Sequence, residues 1–227
     1  TLDRQMQAAL DQSEAWAIDG IKVDFMDRDD QQVVQFYSRL AREAAEREIL
    51  INYHGSYKPA GLHRTWPNVI NREGVLGNEY NKWSDDVTPR HQVTLPFTRM
   101  AVGPMDFTPG GMRNTGVKEF IVSNDRPRVQ GTRAHQMAMF VVYYGPLQML
   151  ADSPTDYLKE PKVFDFLTDI PTTWDETVAI EGKAQSHVVL ARRKGDTWYL
   201  GAMTNSRPRT IEVPLDFLEE GGSYRME

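Results

Sequence analysis

The strongest constraint on the fold is an alternation of short strands and amphipathic helices in the first part of the chain. Residues 20–25 alternate apolar and polar side chains, which predicts a half-buried strand. Residues 49–53 form a second apolar run, and residues 33–44 between the two carry one apolar face at helical spacing. Because parallel neighbours need a crossover of this kind, the order predicts an α/β fold with parallel strands.

One acidic residue stands at the carboxyl end of the first predicted strand. Asp24 follows Val23 and precedes a polar turn, in which Asp29 or Asp30 is the expected N-cap of the next helix. In an α/β barrel the carboxyl ends of the strands carry the chemistry, so Asp24 is a candidate nucleophile or base. The strand end alone favours the plainer interpretation, an aspartate that begins a turn.

Similar strand–helix signals continue to residue 154. A buried helix is predicted over residues 132–144, and strand segments are predicted at Val75–Leu76 and Leu147–Leu150. Residues 101–111 are predicted to be another strand end followed by a glycine-rich turn. With the first two strands, these segments make about five strand–helix units. We therefore expect one α/β region over residues 1–160.

The pattern changes from about Trp174 to alternating segments separated by turns such as 194–196. The predicted strands of this second region are Val178–Ile180, His187–Leu190, Thr197–Met203 and Ile211–Val213. They predict an antiparallel β domain, which we assign to residues 161–227.

Composition excludes several classes of protein. The 227 residues carry a formal net charge of −6 without a long basic block, so nucleic acid is not an expected partner. The absence of cysteine excludes disulfides and thiolate metal sites. No apolar run approaches the ~18 residues of a membrane-spanning helix. The glycine motifs of nucleotide-binding loops and the GxSxG motif of serine α/β-hydrolases are also missing.

A group of ionisable residues lies at or near the predicted strand ends. Its members are Lys22, Asp24, His54, Glu73 and Glu79. Converging carboxylates suit general acid/base work on a glycosidic bond, and they suit a hard cation such as Ca²⁺ equally well. The plainer alternatives are that the carboxylates are solvated surface charges and that His54 is a structural hydrogen-bonding residue rather than a sugar or metal contact.

A set of short motifs in residues 20–155 resembles glycoside hydrolase family 97. The motifs are Lys22-Val-Asp24-Phe-Met-Asp27-Arg28-Asp29-Asp30-Gln31, His54-Gly55-Ser-Tyr57-Lys58-Pro59, Arg64-Thr-Trp-Pro67-Asn68, Asn71-Arg-Glu73-Gly, Gly77-Asn-Glu79-Tyr80 and Pro104-Met-Asp106-Phe107-Thr-Pro109-Gly110. The β region from about residue 174 resembles the C-terminal domain of that family.

The resemblance implies a calcium-dependent, exo-acting α-glycosidase that is periplasmic or secreted and acts on an oligosaccharide or galactoside. Residues 1–160 are then expected to be the C-terminal portion of a (β/α)₈ barrel, within a chain that is a fragment or a processed product. By resemblance, Glu79 matches the general acid or acid/base and is expected near the calcium ion that Glu73 binds. Lys22 and His54 match sugar-contacting positions.

The resemblance also separates two branches of the family. Inverting members carry a glutamate base directly after the histidine that His54 matches, where this chain has Gly55. Retaining members carry an aspartate nucleophile at the strand end that Asp24 matches. The sequence therefore predicts a retaining enzyme, most simply an α-galactosidase. An α-glucosidase, a β-L-arabinopyranosidase and a non-catalytic carbohydrate-binding protein remain as alternatives.

Overall fold

The structure is a computed structural model that describes residues 2–227, except for the side chains of residues 2 and 3. The helices are α1 (Leu2–Ala15), α2 (Gln31–Ala45), α3 (Leu62–Thr65), α4 (Pro89–Gln92), α5 (Arg133–Val142), α6 (Pro154–Tyr157) and α7 (Pro161–Asp169). The strands are β1 (Gly20–Val23), β2 (Leu50–Tyr53), β3 (Val69–Arg72), β4 (Asn114–Thr115), β5 (Val129–Gln130), β6 (Glu176–Lys183), β7 (His187–Lys194) and β8 (Thr197–Thr204). Short 3₁₀ turns occupy Asn78–Lys82, Leu95–Phe97 and Arg99–Val102.

The predicted parallel arrangement at the start of the chain is confirmed. Strands β1, β2 and β3 form one parallel sheet in that order, and α2 provides the crossover from β1 to β2. Asp30 is the N-cap of α2, because its Oδ1 accepts a hydrogen bond from Val33 N at 3.1 Å. The first predicted helix corresponds to α1, and Thr1 lies outside the described residues.

The third strand is not where the sequence pattern put it. The prediction of a strand core at Val75–Leu76 is wrong, because the strand is Val69–Arg72 and Val75–Leu76 lie in the loop after it. Two buried polar residues, Asn71 and Arg72, interrupt the apolar character of β3. Asn71 Nδ2 donates to the Leu147 carbonyl and the Arg72 guanidinium lies over three tyrosine rings, and hydrophobic periodicity does not reveal such contacts.

Two further predicted strands of the α/β region are also wrong. Residues 101–107 form a 3₁₀ turn and an extended loop, although the loop lies beside β3 through a 3.1 Å hydrogen bond from Asp106 N to Arg72 O. Leu147–Leu150 form no strand; Leu147 and Leu150 are 40% and 42% exposed, so this apolar run does not enter a buried sheet. The additional parallel pairing is the short β4–β5 ladder.

The C-terminal sheet is antiparallel, as predicted, with the order β6-β7-β8. The predicted strand at Ile211–Val213 is wrong, since these residues have no strand partner among the described residues. The sheet packs on α5: a Cβ atom at Gly201 of β8 would lie 2.8 Å from Val141. Arg192 of β7 donates hydrogen bonds to the Val142 and Tyr143 carbonyls at the end of α5. The division of the chain at residue 160 stays a prediction.

Candidate active site

Three ionisable residues follow the three strands of the parallel sheet directly. Asp24 comes after β1, His54 after β2 and Glu73 after β3. Because the carboxyl ends of parallel strands meet at one edge, the three side chains form a row. His54 Nδ1 lies 3.2 Å from Asp24 Oδ2, and His54 Nε2 lies 3.4 Å from Glu73 Oε1. The structure thus brings together three of the residues that the sequence singled out.

The Asp24 carboxylate is fixed by the backbone around it. Its Oδ1 accepts a hydrogen bond of 2.6 Å from Phe25 N. Phe25 adopts a left-handed conformation with φ of 62°, which is unusual for an aromatic residue and strains the turn after β1. Asp27 N donates to Gly55 O at 2.8 Å, which ties this turn to the end of β2. The side chain of Asp24 remains 31% exposed.

Glu73 is the buried member of the row. Its Oε2 accepts a hydrogen bond of 2.8 Å from Gly55 N, while Oε1 faces His54. Burial raises the pKa of Glu73 above its ordinary value, and the attraction of His54 and the Gly55 hydrogen bond oppose that rise. The carboxylate is therefore held in one orientation with one oxygen turned towards the imidazole.

Glu79 enters the same site from the 3₁₀ turn Asn78–Lys82. Ligand atoms of His54, Glu73 and Glu79 all lie within 4.8 Å of one another, so the group could hold a metal ion. Two carboxylate oxygens bound to one Ca²⁺ at ~2.3–2.6 Å are at most about 5 Å apart, so Glu73 and Glu79 fit a shared calcium ion. The imidazole suits Ca²⁺ less well, because this cation prefers oxygen ligands. Glu79 Oε1 also lies 3.3 Å from Lys82 Nζ.

A buried carboxylate that the residue pattern did not single out holds Lys22 in place. Asp106 Oδ2 lies 3.1 Å from Lys22 Nζ, accepts a hydrogen bond of 2.9 Å from Asn52 Nδ2 and lies 3.8 Å from His54 Nε2. None of residues 2–227 offers a hydrogen bond to Asp106 Oδ1, which is fully buried. Asp106 stood in one of the motifs quoted above, but its burial opposite Lys22 comes from an irregular loop that no periodicity predicts.

Two buried arginines fix the backbone that presents Glu73. The Arg72 guanidinium lies within a cage of tyrosine rings, 4.7, 4.9 and 4.4 Å from the centroids of Tyr37, Tyr53 and Tyr57. Arg99 donates hydrogen bonds of 2.7 Å to the carbonyl oxygens of both Arg72 and Glu73. Burial lowers the pKa of Arg99 to about 10, so it stays a cation at neutral pH. These contacts restrain the end of β3.

A cavity of about 230 Å³ opens beside the row. Lys22, His54, Glu79, Arg128 and Asp152 are among the residues that line it. Asp24 does not line the cavity itself, but it contacts His54, which does. The cavity therefore presents a lysine, an imidazole and a carboxylate to a small polar ligand.

The fold and the site together define a class of protein. Parallel strands linked by helices carry carboxylates and an imidazole at their carboxyl ends, next to a cavity that Lys22, His54 and Glu79 help to line. This is the arrangement of α/β enzymes that act on polar substrates such as sugars. Residues 1–75 match the family model described as glycoside hydrolase 97, and residues 173–227 match the C-terminal model of the same family. The chain belongs to glycoside hydrolase family 97.

Curated relatives cover nearly all of this chain. A retaining alpha-galactosidase from Bacteroides thetaiotaomicron is 43% identical over 218 residues, which are 95% of this chain and 33% of that protein. A probable retaining alpha-galactosidase from Streptomyces bingchenggensis is 36% identical over 202 residues, 89% of this chain and 30% of that protein. The chain thus spans about a third of the length of these relatives.

Solved structures of the family share the fold. A family 97 enzyme from Pseudoalteromonas sp. strain K8 in complex with panose superposes with a TM-score of 0.86 and 36% identity, covering 97% of this chain and 37% of that one. A beta-arabinopyranosidase superposes with a TM-score of 0.78 and 31% identity, covering 89% of this chain and 32% of that one. The relatives therefore differ among themselves in the sugar that their names give.

None of the helices within residues 2–227 combines the length and apolar character that crossing a bilayer requires.

Proposed function

We propose that this chain carries the catalytic centre of a retaining, exo-acting α-glycoside hydrolase, most simply an α-galactosidase. In this proposal the parallel region is the C-terminal portion of a (β/α)₈ barrel, and the site lies at the mouth of the barrel. Family membership supports the reaction class, and two relatives named retaining alpha-galactosidase support the substrate. The periplasmic or secreted location is part of the proposal, and fractionation of the producing cells tests it.

The observation that carries the retaining mechanism is the fit between Asp24 and Gly55. A Cβ atom at position 55 would lie 2.7 Å from Asp24 Oδ1 and 2.8 Å from Phe25 N. A glutamate base at position 55 is therefore incompatible with this position of Asp24. Asp24 is the partly exposed carboxylate left to attack the substrate.

The proposed reaction is a double displacement. The Asp24 carboxylate attacks the anomeric carbon while Glu79 donates a proton to the leaving oxygen, which breaks the glycosidic bond and forms a glycosyl ester on Asp24. Glu79, now ionised, takes a proton from water, and the resulting hydroxide equivalent attacks the same carbon and releases Asp24. Two inversions at one carbon retain its configuration.

The other residues of the site bind and orient the sugar. Lys22, which forms an ion pair with Asp106, is proposed to donate a hydrogen bond to a sugar hydroxyl. His54, which lines the cavity, is proposed to hold the Asp24 carboxylate in position. Glu73 and Glu79 are proposed to hold a Ca²⁺ ion. When bound, that ion supplies positive charge that orients the two carboxylates and the sugar oxygens next to them.

A second candidate function keeps the enzyme class and changes the sugar. The neighbour named beta-arabinopyranosidase favours β-L-arabinopyranosides, whose ring has the configuration of galactose without the C6 hydroxymethyl group. Because a family 97 neighbour was solved in complex with panose, α-glucosides remain alternative substrates. A non-catalytic carbohydrate-binding protein is the alternative outside the enzyme class.

The experiment compares Asp24→Ala and Asp24→Gly with Asp29→Asn, an exposed acid of the same loop, in the full-length, calcium-loaded protein. We expect both Asp24 variants to lose at least about three orders of magnitude of kcat on a p-nitrophenyl α-galactoside, and Asp29→Asn to retain it. Azide should rescue Asp24→Gly and give the β-galactosyl azide, because azide then attacks in place of the carboxylate.

Turnover by Asp24→Ala within roughly tenfold of the parent would rule out a nucleophile at this position. Galactose binding in isothermal titration without turnover of α-galactosides, α-glucosides or β-L-arabinopyranosides would favour the non-catalytic alternative.

A further inference from the structure

A second, larger cavity lies next to the candidate active site. Its volume is about 1120 Å³, against about 230 Å³ for the cavity that Lys22, His54 and Glu79 line. Ligand pockets in proteins usually measure ~300–1,000 Å³, so the smaller cavity suits one sugar ring and the larger one suits several. The larger cavity lies between the segment that joins β4 to β5, the start of α5 and the region of α6 and α7.

The lining of the larger cavity is predominantly cationic. It contains five basic and two acidic side chains, which are Arg113, Arg126, Arg128, Arg133, Lys159, Asp156 and Glu160. Three of the cations have carboxylate partners: Arg113 pairs with Asp152, Lys159 with Asp156 and Arg133 with Glu160.

Two of the arginines have no such partner. Neither the Arg126 nor the Arg128 guanidinium forms a hydrogen bond or ion pair within the part of the chain that the structure describes. The apolar side chains of Ile121 and Val122, which are 66% and 41% exposed, lie in the same lining. The cavity thus combines cationic side chains that have no carboxylate partner with exposed apolar surface.

Arg128 links the two cavities, because it lines both of them. Its backbone is held in place by the neighbouring strand pair: Val129 N donates to Arg113 O at 3.0 Å, and Gly131 N donates to Thr115 O at 2.9 Å. Val129 packs against Gly111, where a Cβ atom would lie 2.4 Å from Val129 Cγ1. The backbone of Arg128 is therefore fixed between the two cavities.

We propose that the larger cavity binds the leaving-group side of the substrate and selects oligosaccharides that carry an anionic group, a carboxylate or a sulfate ester, near the scissile bond. This inference rests on the proposed function, since it assumes that the scissile sugar occupies the smaller cavity. Guanidinium groups bind both kinds of anion through paired hydrogen bonds, and no carboxylate within residues 2–227 pairs with the guanidinium of Arg126 or Arg128.

The test uses three disaccharides with the same α-linked galactose and different leaving sugars: glucose, glucuronate and glucose 6-sulfate. For each, kcat/KM is measured with the full-length parent protein, Arg126→Gln, the double variant Arg126→Gln/Arg128→Gln and the control Lys118→Gln. Lys118 is an exposed cation of the same connecting segment that does not line the cavity. The readout is the ratio of kcat/KM for each anionic substrate to that for the neutral one.

We expect the ratio to exceed one for the parent and to fall about tenfold or more in the double variant, with a smaller fall for Arg126→Gln and none for Lys118→Gln. The substrate that shows the larger fall identifies the anion. Retention of the parent's melting temperature shows that the variants are folded. If the parent cleaves the neutral substrate and the ratio is the same in every variant, the inference is overturned while the proposed function stands. If no substrate is cleaved by the parent, the proposed function itself fails.

Discussion

Gly55 packs so closely against Asp24 that a Cβ atom at position 55 would lie 2.7 Å from the Asp24 Oδ1 atom. The glycine also has a φ of 48°, where residues with a Cβ atom are strained. In addition, its backbone amide binds Glu73 Oε2 at 2.8 Å. One small residue therefore sets the positions of two carboxylates.

We predict that Gly55→Ala displaces Asp24 and reduces kcat/KM on an α-galactoside by about a hundredfold, because reacting groups are sensitive to shifts of ~1 Å. The matched control is Gly195→Ala. Gly195 has a φ of 55°, but a Cβ atom there has no heavy atom within 4 Å. Both variants should lose ~1–2 kcal/mol of unfolding free energy from left-handed strain. Gly55→Ala should lose more than Gly195→Ala, because its Cβ atom would also lie 2.8 Å from Phe25 N, and only Gly55→Ala should lose activity. Equal activities of the two variants would show that the close packing at Asp24 has no functional role.

The Lys22–Asp106 pair leads to an asymmetric prediction for stability. Lys22→Met leaves a fully buried carboxylate without its counter-ion, whereas Asp106→Asn leaves a lysine that is 36% exposed and can reach water. We expect Lys22→Met to lower the unfolding free energy by about 2 kcal/mol and Asp106→Asn by about half of that. The double variant should recover part of the loss in urea denaturation.

The control for this pair is Lys194→Met, which breaks the exposed contact between Lys194 and Asp175 and should change stability little. In the active protein, Asp106→Asn should raise KM more than it lowers kcat, because Asp106 positions Lys22 rather than touching the substrate. Strict additivity of the two site substitutions would show that the pair is not coupled.

Much of the fold could be predicted from the sequence where apolar periodicity is uninterrupted. Helix α2 with its Asp30 cap, strand β2, helix α5 and the three strands of the C-terminal sheet all follow such patterns. Strand β3 was misplaced because Arg72 is buried in it, where its guanidinium lies over the rings of three tyrosines and donates to a backbone carbonyl. A cage assembled from three separate segments leaves no local signal.

Part of the candidate site could also be predicted, where its residues follow strands with uninterrupted apolar periodicity. Asp24 and His54 follow strands with clear patterns, so their convergence at one sheet edge follows from parallel topology. Asp106 reaches the site from a loop that lies beside β3 without forming a strand. Its role depends on a contact between residues far apart in the chain, and spacing alone carries no information on such a contact.

Metal binding should depend on the two glutamates and not on the histidine. We expect added Ca²⁺ to raise the melting temperature of the parent, with a stabilisation of about 2.7 kcal/mol at a free concentration a hundredfold above the dissociation constant. Glu73→Gln and Glu79→Gln should each lose most of this shift, while His54→Gln should keep it, because Ca²⁺ prefers oxygen ligands. Differential scanning fluorimetry with Ca²⁺, Zn²⁺ and EDTA measures the shifts.

Glu212→Gln, which changes an exposed glutamate outside the site, should behave like the parent in these titrations. Stabilisation by Zn²⁺ alone, lost in His54→Gln, would identify a different metal and contradict the calcium proposal.

We predict that the buried His135, near the start of α5, makes the fold less stable in acid. Burial lowers the pKa of His135 to about 4, and its Nε2 finds no hydrogen-bond partner among the described residues. Between about pH 4 and pH 6.5 the unfolded chain therefore binds more protons at this residue than the native protein does, so its contribution to stability falls as the pH is lowered through that range. The total loss amounts to about 3 kcal/mol.

His135→Leu should remove this dependence, so urea denaturation of the variant should change less between pH 6.5 and pH 4 than denaturation of the parent. Met137→Leu, another buried substitution on α5, is the control and should keep the parent's pH dependence. The difference between the two variants isolates the imidazole, because both alter the packing of the same helix and only one removes a titrating group. Parallel pH profiles for the parent and His135→Leu would mean that the native protein protonates His135 as readily as the unfolded chain does.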